Sequence, residues 1–153
     1  MPARTPRAPR WLPLALAAGL LGCGSPFLLL PGGALDGTPA EAPADWGFFD
    51  EVGTVQLETR PDDPYSVNIW AIGLGPSVYV HSGKKLSTWA ANLEADPAVR
   101  LRIEGRLYAL DAERVTEQPE FDRFADAYET KYGRRPRNED VGVAHLYRLT
   151  AAR

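Results

Sequence analysis

Between Val80 and Trp89 the chain reads VHSGKKLSTW. A histidine, three hydroxyls and two lysines fall within eight positions around Gly83. Two ammonium groups and a pair of serine hydroxyls at the start of a helix can hold a phosphate dianion. The helix adds its own unpaired N–H groups and the positive end of its dipole. Lys84, Lys85, Ser82 and Ser87 are therefore candidate anion ligands, and His81 could bond the same phosphate or a ring carbonyl. The same residues also read as a solvated basic turn between a strand and a helix, and the stretch alone leaves both readings open. Elsewhere there is no Gly-x-Ser-x-Gly elbow, HExxH pair, P-loop or Gly-x-Gly-x-x-Gly turn. With two histidines and one cysteine, a zinc site is not expected.

The elements that must position this stretch follow from periodicity. Thr54–Thr59 alternates apolar and polar residues; Tyr65–Leu74 reads as a second strand with Val67, Ile69 and Ala71 on one side and Ser66, Asn68, Trp70 and Ile72 on the other, and Ser77–His81 pairs with it across Gly75-Pro76. Leu86, Trp89, Ala90 and Leu93 share one helical face, with Ser87 or Thr88 as cap and Asp96-Pro97 as stop. Val99, Leu101 and Ile103 then alternate with charged residues, and Glu104-Gly105 turns the chain into a strand over Arg106–Thr116. Glu120–Tyr132 reads as a helix closed by Gly133, and Val143–Thr150 as a last strand. Trp70 and Trp89 could stack on a planar cofactor, although aromatics at such spacings also serve a core.

The 153 residues suit one domain with one core, at 44% hydrophobic and 24% charged. The first 22 residues carry Arg4, Arg7 and Arg10 and no acid. Without them 14 basic residues face 20 acidic ones, a net charge of −6. Such a domain lacks the basic face that nucleic-acid binding needs. An arginine-bearing start, an apolar run and then Cys23, the only cysteine, form a secretory signal over 1–22. Leu20-Leu21-Gly22-Cys23 resembles a bacterial lipobox, which makes Cys23 a lipidation site. Alternatively, Trp11–Leu30 is an uncharged run long enough to span a bilayer as an anchor. Either reading places the domain at the bacterial cell envelope, membrane-attached and outside the cytoplasm. Residues 31–47, rich in Pro, Gly and Ala, read as a linker or extended arm, leaving 48–153 as the domain. Trp46, Phe48 and Phe49 would dock the arm.

Short strands broken by one helix, with a second before the last strand, indicate a small mostly-β barrel. The middle of the chain resembles the pyridoxamine 5'-phosphate oxidase-like split-barrel superfamily, which includes flavin- and deazaflavin-dependent reductases. The likeness rests on PYSVNIWAIG and on VYVHSGKKLSTWAANLEADPAVRLRIEGRLYALDAERV. It is carried most by Trp89-x-x-Asn92-Leu93, Asp96-Pro97 and the Val-Arg-Leu-Arg-Ile-x-Gly run. The resemblance implies an FMN-binding-type split β-barrel with two helices and a homodimer. It also implies an oxidoreductase passing a hydride between bound FMN, or a deazaflavin, and a small organic substrate. It places the cofactor near Ser66 and Asn68 on the second strand and near His81, Ser82, Lys84, Lys85 and Ser87 in the loop, with Trp70 and Trp89 as stacking candidates. Such enzymes need no nucleophile of their own, because the cofactor carries the chemistry. A non-catalytic module of the same fold, binding haem, another small ligand or a partner protein, is the alternative.

Overall fold

A computed structural model describes residues 30–83 and 86–152. The signal, anchor and lipidation readings therefore lie outside the described residues, as do Lys84 and Lys85. The elements in chain order are β1 (Thr38–Ala40), β2 (Val55–Thr59), β3 (Tyr65–Ile69), β4 (Ala71–Leu74), β5 (Ser77–Ser82), α1 (Thr88–Ala95), β6 (Ala98–Ile103), β7 (Arg106–Arg114), α2 (Gln118–Tyr132) and β8 (His145–Ala151). A 3-10 turn spans Gly47–Glu51.

Seven strands form one antiparallel path in the order β3-β2-β6-β7-β8-β5-β4. Its two end strands, β3 and β4, are consecutive in sequence and separated by Trp70 alone. That connection forces the sheet to curl until its ends meet, and the result is the split barrel expected from the sequence. The run Tyr65–Leu74 reads as one strand, but it bends at Trp70. The residues before the bend pair with β2 and those after it with β5. The barrel is filled by alternate residues such as Val55, Leu57, Val78, Val80, Val99, Leu101 and Leu149. Helix α1 contributes Trp89, Ala90 and Leu93 to the same core, as its apolar spacing requires. Helix α2 packs Phe121, Phe124 and Ala125 against the other side of the sheet, over Ile72, Tyr79 and Leu146. Gly133 ends α2 with φ 72°, the left-handed C-cap that its position predicts.

The stretch 31–47 is packed, not a free linker, so the domain begins well before residue 48. Gly32 exchanges backbone hydrogen bonds with Ser66 at 2.8 and 2.9 Å. Leu35 is buried, and β1 lies parallel to the first half of β7. Strand β8 pairs only with Leu110–Arg114, so β1 fills the side of β7 that β8 leaves open. The arm also satisfies an acid. Glu58 is 0% exposed; its Oε2 accepts from the Leu35 amide at 2.6 Å and its Oε1 from Arg100 Nε at 2.6 Å and Nη2 at 2.5 Å. Trp46, also 0% exposed, meets Phe49 and Tyr108 edge-on. Gly73 makes room for it: a Cβ there would lie 2.5 Å from the Trp46 carbonyl oxygen and 2.8 Å from the Phe49 Cβ.

Three stability effects follow. Glu58→Gln should cost about 2 kcal/mol, because it removes the buried carboxylate that accepts from the Leu35 amide and from Arg100, whose side chain is partly exposed. Chemical denaturation should show it, together with faster proteolysis between residues 31 and 45; unchanged midpoint and cleavage would refute the role. Gly73→Ala should lower stability by about 2–3 kcal/mol through overpacking against backbone, read as a lower Tm. The third concerns His81, which lies under α2 beside Phe124 and Tyr128. Burial pulls its pKa down to about 4, with a smaller contribution from the charge of His145. Between pH 6.5 and pH 4 the unfolded chain therefore binds more protons than the native one. Stability present above pH 6.5 should fall by about 2–3 kcal/mol as pH drops through that window. His81→Phe should remove that part of the loss when denaturant midpoints at pH 7 and pH 4.5 are compared.

Candidate functional site

The end of β5 and the start of α1 come together as the sequence predicts. Ser82 Oγ donates to Ser87 Oγ at 3.0 Å. Ser87 is the N-cap residue of α1, with φ −83° and ψ 162°, yet its side chain makes no capping bond. The Ser87 carbonyl accepts from the Ala91 amide at 2.9 Å, so the helix starts at the residue the cap predicts. No acid stands in its first turn. Among the described residues, then, the Ser87 hydroxyl does not cap α1, no acid lies in its first turn, and Ser82 and Ser87 pair with each other just before it. This arrangement suits an anionic oxygen. Leu86, between Gly83 and the cap, is an exposed apolar residue at the same turn.

Both flanks of α1 are fastened. On one side Asn92 Nδ2 donates to Thr59 Oγ1 at 2.9 Å, and Thr59 Oγ1 donates to the Tyr65 carbonyl at 3.2 Å. On the other, Glu94 accepts from the Tyr147 hydroxyl at 2.7 Å and from Arg114 Nη1 at 3.1 Å. The Tyr147 bond, followed by Arg114, holds the Glu94 carboxyl below its ordinary range against an opposing effect of burial. Burial and the same bond push the Tyr147 phenol up. Arg114 also donates to the Ala144 carbonyl at 2.9 Å and lies 2.8 Å from His145 Nδ1. His145 is the cross-strand partner of Ser82. Arg114, Glu94 and His145 escaped the sequence reading. They meet from β7, α1 and β8, and no local spacing links them.

The remaining sequence candidates go elsewhere. Ser66 is fully buried on the outer face of the sheet, where its hydroxyl donates to the Gly33 carbonyl at 2.7 Å; the arm covers it. Asn68 stands one row along on that face, in a shallow groove of about 330 Å³ with Thr54, Gln56, Arg102 and Glu104. There Gln56 bridges Asn68 at 3.3 Å and Arg102 at 2.9 Å. Trp70 is 40% exposed at the barrel corner. It stacks on Tyr132 with ring centroids 4.5 Å apart and planes 9° apart, and the Arg134 guanidinium lies 4.8 Å from its ring. Trp89, 7% exposed, packs edge-on to Tyr147 in the core. Alternation along β5 turns His81 toward α2, away from the face of Ser82; its Nε2 is buried without a hydrogen-bond partner among the described residues. Of the nine cofactor candidates, the structure therefore joins Ser82 and Ser87 directly. It puts Trp89 in the core against Tyr147, Ser66 under the arm, and Asn68 and Trp70 elsewhere on the barrel.

Comparison with known proteins bears on this corner. The model of the F420H(2)-dependent quinone reductase family matches residues 78–141, less than half of the chain. No curated protein matches. Solved structures are similar in fold. A protein provisionally assigned to 5-nitroimidazole antibiotic resistance in Bacteroides thetaiotaomicron superposes with a TM-score of 0.54 at 11% identity, over 70% of this chain and 77% of its own. A conserved hypothetical protein from Mycobacterium tuberculosis gives 0.50 at 22% identity, over 70% and 78%. An FAD-binding protein from Mesorhizobium loti gives 0.50 at 15%, over 69% and 85%. These structures thus show the fold, the split barrel, and the family model over residues 78–141 supports the flavin- and deazaflavin-reductase superfamily that the sequence resembles.

Proposed function

We propose that the domain is a reductase that binds a deazaflavin of the F420 type, or a flavin, and reduces a small organic acceptor such as a quinone. The observation that carries this reading is the family match over 78–141. It runs from β5 through α1 and past the end of α2, and so contains the start of α1 with the Ser82–Ser87 pair. The residues present fit the acidic tail of such a cofactor. Ser82, Ser87 and the first amides of α1 would hold its phosphate or carboxylate oxygens, with Lys84 and Lys85 adding charge from the same turn. Leu86 offers apolar surface beside them. When bound, the reduced cofactor supplies a hydride, which with one proton takes a quinone to its hydroquinone. The chain's own contribution is position. Thr59 and Asn92 on one flank, and Glu94, Tyr147 and Arg114 on the other, keep the start of α1 at a fixed distance from β5.

FMN is the cofactor the sequence resemblance puts first; the family match favours the deazaflavin. Attachment at the envelope through residues 1–30 would suit this function, since lipid-soluble quinones are concentrated in the bilayer.

Titrating the full-length protein with oxidised F420, and separately with FMN, should give saturable fluorescence quenching for one of them. The reduced form of that cofactor should then be oxidised by a soluble quinone in the presence of the protein. Ser87→Ala should weaken binding about fivefold, and the double variant Lys84→Ala, Lys85→Ala at least tenfold, as charge-assisted hydrogen bonds are lost. Absence of saturable binding for both cofactors would overturn the proposal, and a Soret band on the purified protein would redirect it to haem.

A further inference from the structure

The chain enters the described fold at one corner of the barrel. Strand β3 ends the sheet path, and Gly32 takes its free side, bridged to Ser66 in the antiparallel sense. In that register Leu30 stands level with Asn68. Followed backwards from Gly32, the chain therefore runs toward the end of β3, where Trp70 makes the corner. Two residues of strand, about 7 Å, separate the level of Leu30 from Trp70. Leu30 is 66% exposed and Trp70 40%, two of the five exposed large apolar residues among the described residues. Stacking on Tyr132 belongs to barrel closure, yet it leaves that much of the indole uncovered. The exposed Arg134 sets its guanidinium 4.8 Å from the same ring. Amphipathic rings beside a cation on a long aliphatic stem are what a membrane–water interface favours.

Ahead of this corner lies the uncharged run from Trp11 to Leu30, long enough to span a bilayer. If Cys23 carries lipid instead, seven residues join it to Leu30, a reach of about 25 Å at most. A domain of this size has a radius of gyration of about 14 Å. So short a leash favours the Leu30–Trp70 corner over the far side of the barrel as the part that meets the surface.

We propose that the corner formed by Leu30, Trp70, Tyr132 and Arg134 lies against a lipid bilayer, with Trp70 as its interfacial anchor. This rests on the membrane attachment read from residues 1–30 and not on which cofactor is bound. The last turn of α2 sits at this corner through Tyr132. Its first turn lies about 21 Å away along the helix. There Gln118 Oε1 accepts from the Val141 amide at 3.1 Å, two residues from Val143, which is 39% exposed.

Tryptophan emission tests the contact. The chain has four tryptophans, and Trp46 and Trp89 are 0% and 7% exposed, so Trp11→Phe leaves Trp70 as the exposed one. The full-length Trp11→Phe protein, in vesicles of phosphatidylcholine brominated high on its acyl chains, should lose emission relative to vesicles of unbrominated lipid. Adding Trp70→Phe should abolish that loss. Arg134→Glu, a change at an exposed side chain, should reduce it with Trp70 in place. Val143→Trp, added to Trp11→Phe and Trp70→Phe, should lose no emission. Vesicle association without a Trp70-dependent loss, as when the chain's own apolar run covers the indole, would overturn the inference and leave membrane attachment standing. Equal losses from Trp70 and from the Val143→Trp reporter would overturn it as well. Protein that does not float with the vesicles would overturn both attachment and inference, whatever cofactor it binds.

Discussion

The structure depends on one covalent constraint: the strands at the two ends of the sheet are neighbours in sequence. With only Trp70 between β3 and β4, the sheet cannot stay open. Its twist accumulates until the first and last hydrogen-bonded ladders share one bent strand. The corner exposes a peptide that neither ladder serves, and α2 supplies what is missing. The Tyr132 hydroxyl accepts from the Ala71 amide at 3.2 Å and donates to its carbonyl at 3.0 Å. Lys131 Nζ donates to the same carbonyl at 3.0 Å and to Phe49 at 2.6 Å. Burial explains the direction of both titrations: it pushes the Tyr132 phenol up to about 12 and the Lys131 ammonium down. The stacking of Trp70 on Tyr132 is thus a part of barrel closure, which explains why an exposed tryptophan stands there.

Closure leaves the outer face of β3, β2 and β6 with rows of polar side chains, and the arm sorts them. In one row Ser66, Glu58 and Arg100 lie side by side by register. The arm crosses this row and supplies the Gly33 carbonyl and the Leu35 amide. A fully buried carboxylate is tolerable only with such partners, because its desolvation is otherwise uncompensated. The next row, Asn68, Gln56 and Arg102, lines the shallow groove. The same strand face is thus half covered and half a groove, according to how far the arm reaches.

Much of the fold was legible because strand and helix periods are local properties. Val99, Leu101 and Ile103 alternate, Trp89, Ala90 and Leu93 share a helical face while Leu86, expected with them, lies before the helix and is exposed, and Glu104-Gly105 turns a hairpin with both residues at positive φ. The arm was legible only as one of two readings, an extended stretch docked through Trp46 and Phe49; the rest of its order comes from single bonds to distant partners such as Ser66 and Glu58. The bend at Trp70 was hidden for a related reason. The apolar run Ile69–Leu74 carries no turn residue at Trp70, and only the pairing partner changes there. At the site, the turn announced Ser82 and Ser87 through residue type. Ser66 and Trp89 looked equally suitable by type, but the arm takes one and the core the other. Glu94, Arg114 and His145 carried no signal, since their relation exists only once β7 and β8 are paired and α1 lies across them.

The start of α1 is where local rules and the observed structure disagree. An eight-residue helix has little stability of its own and gains from a capping side chain. Ser87 is the right residue in the right place, yet its hydroxyl is turned to Ser82. No acid offsets the helix dipole at that end. The fold compensates at the other end and at the sides, where Asn92 and Glu94 tie α1 to β2, β7 and β8 and Trp89 anchors it in the core. A helix held by its flanks can do without a bond from its N-cap side chain. Departures from local preference that are offset elsewhere concentrate at functional sites. The uncapped start of α1, inside the segment that matches the reductase family, is such a departure, and an anionic ligand is what would complete it.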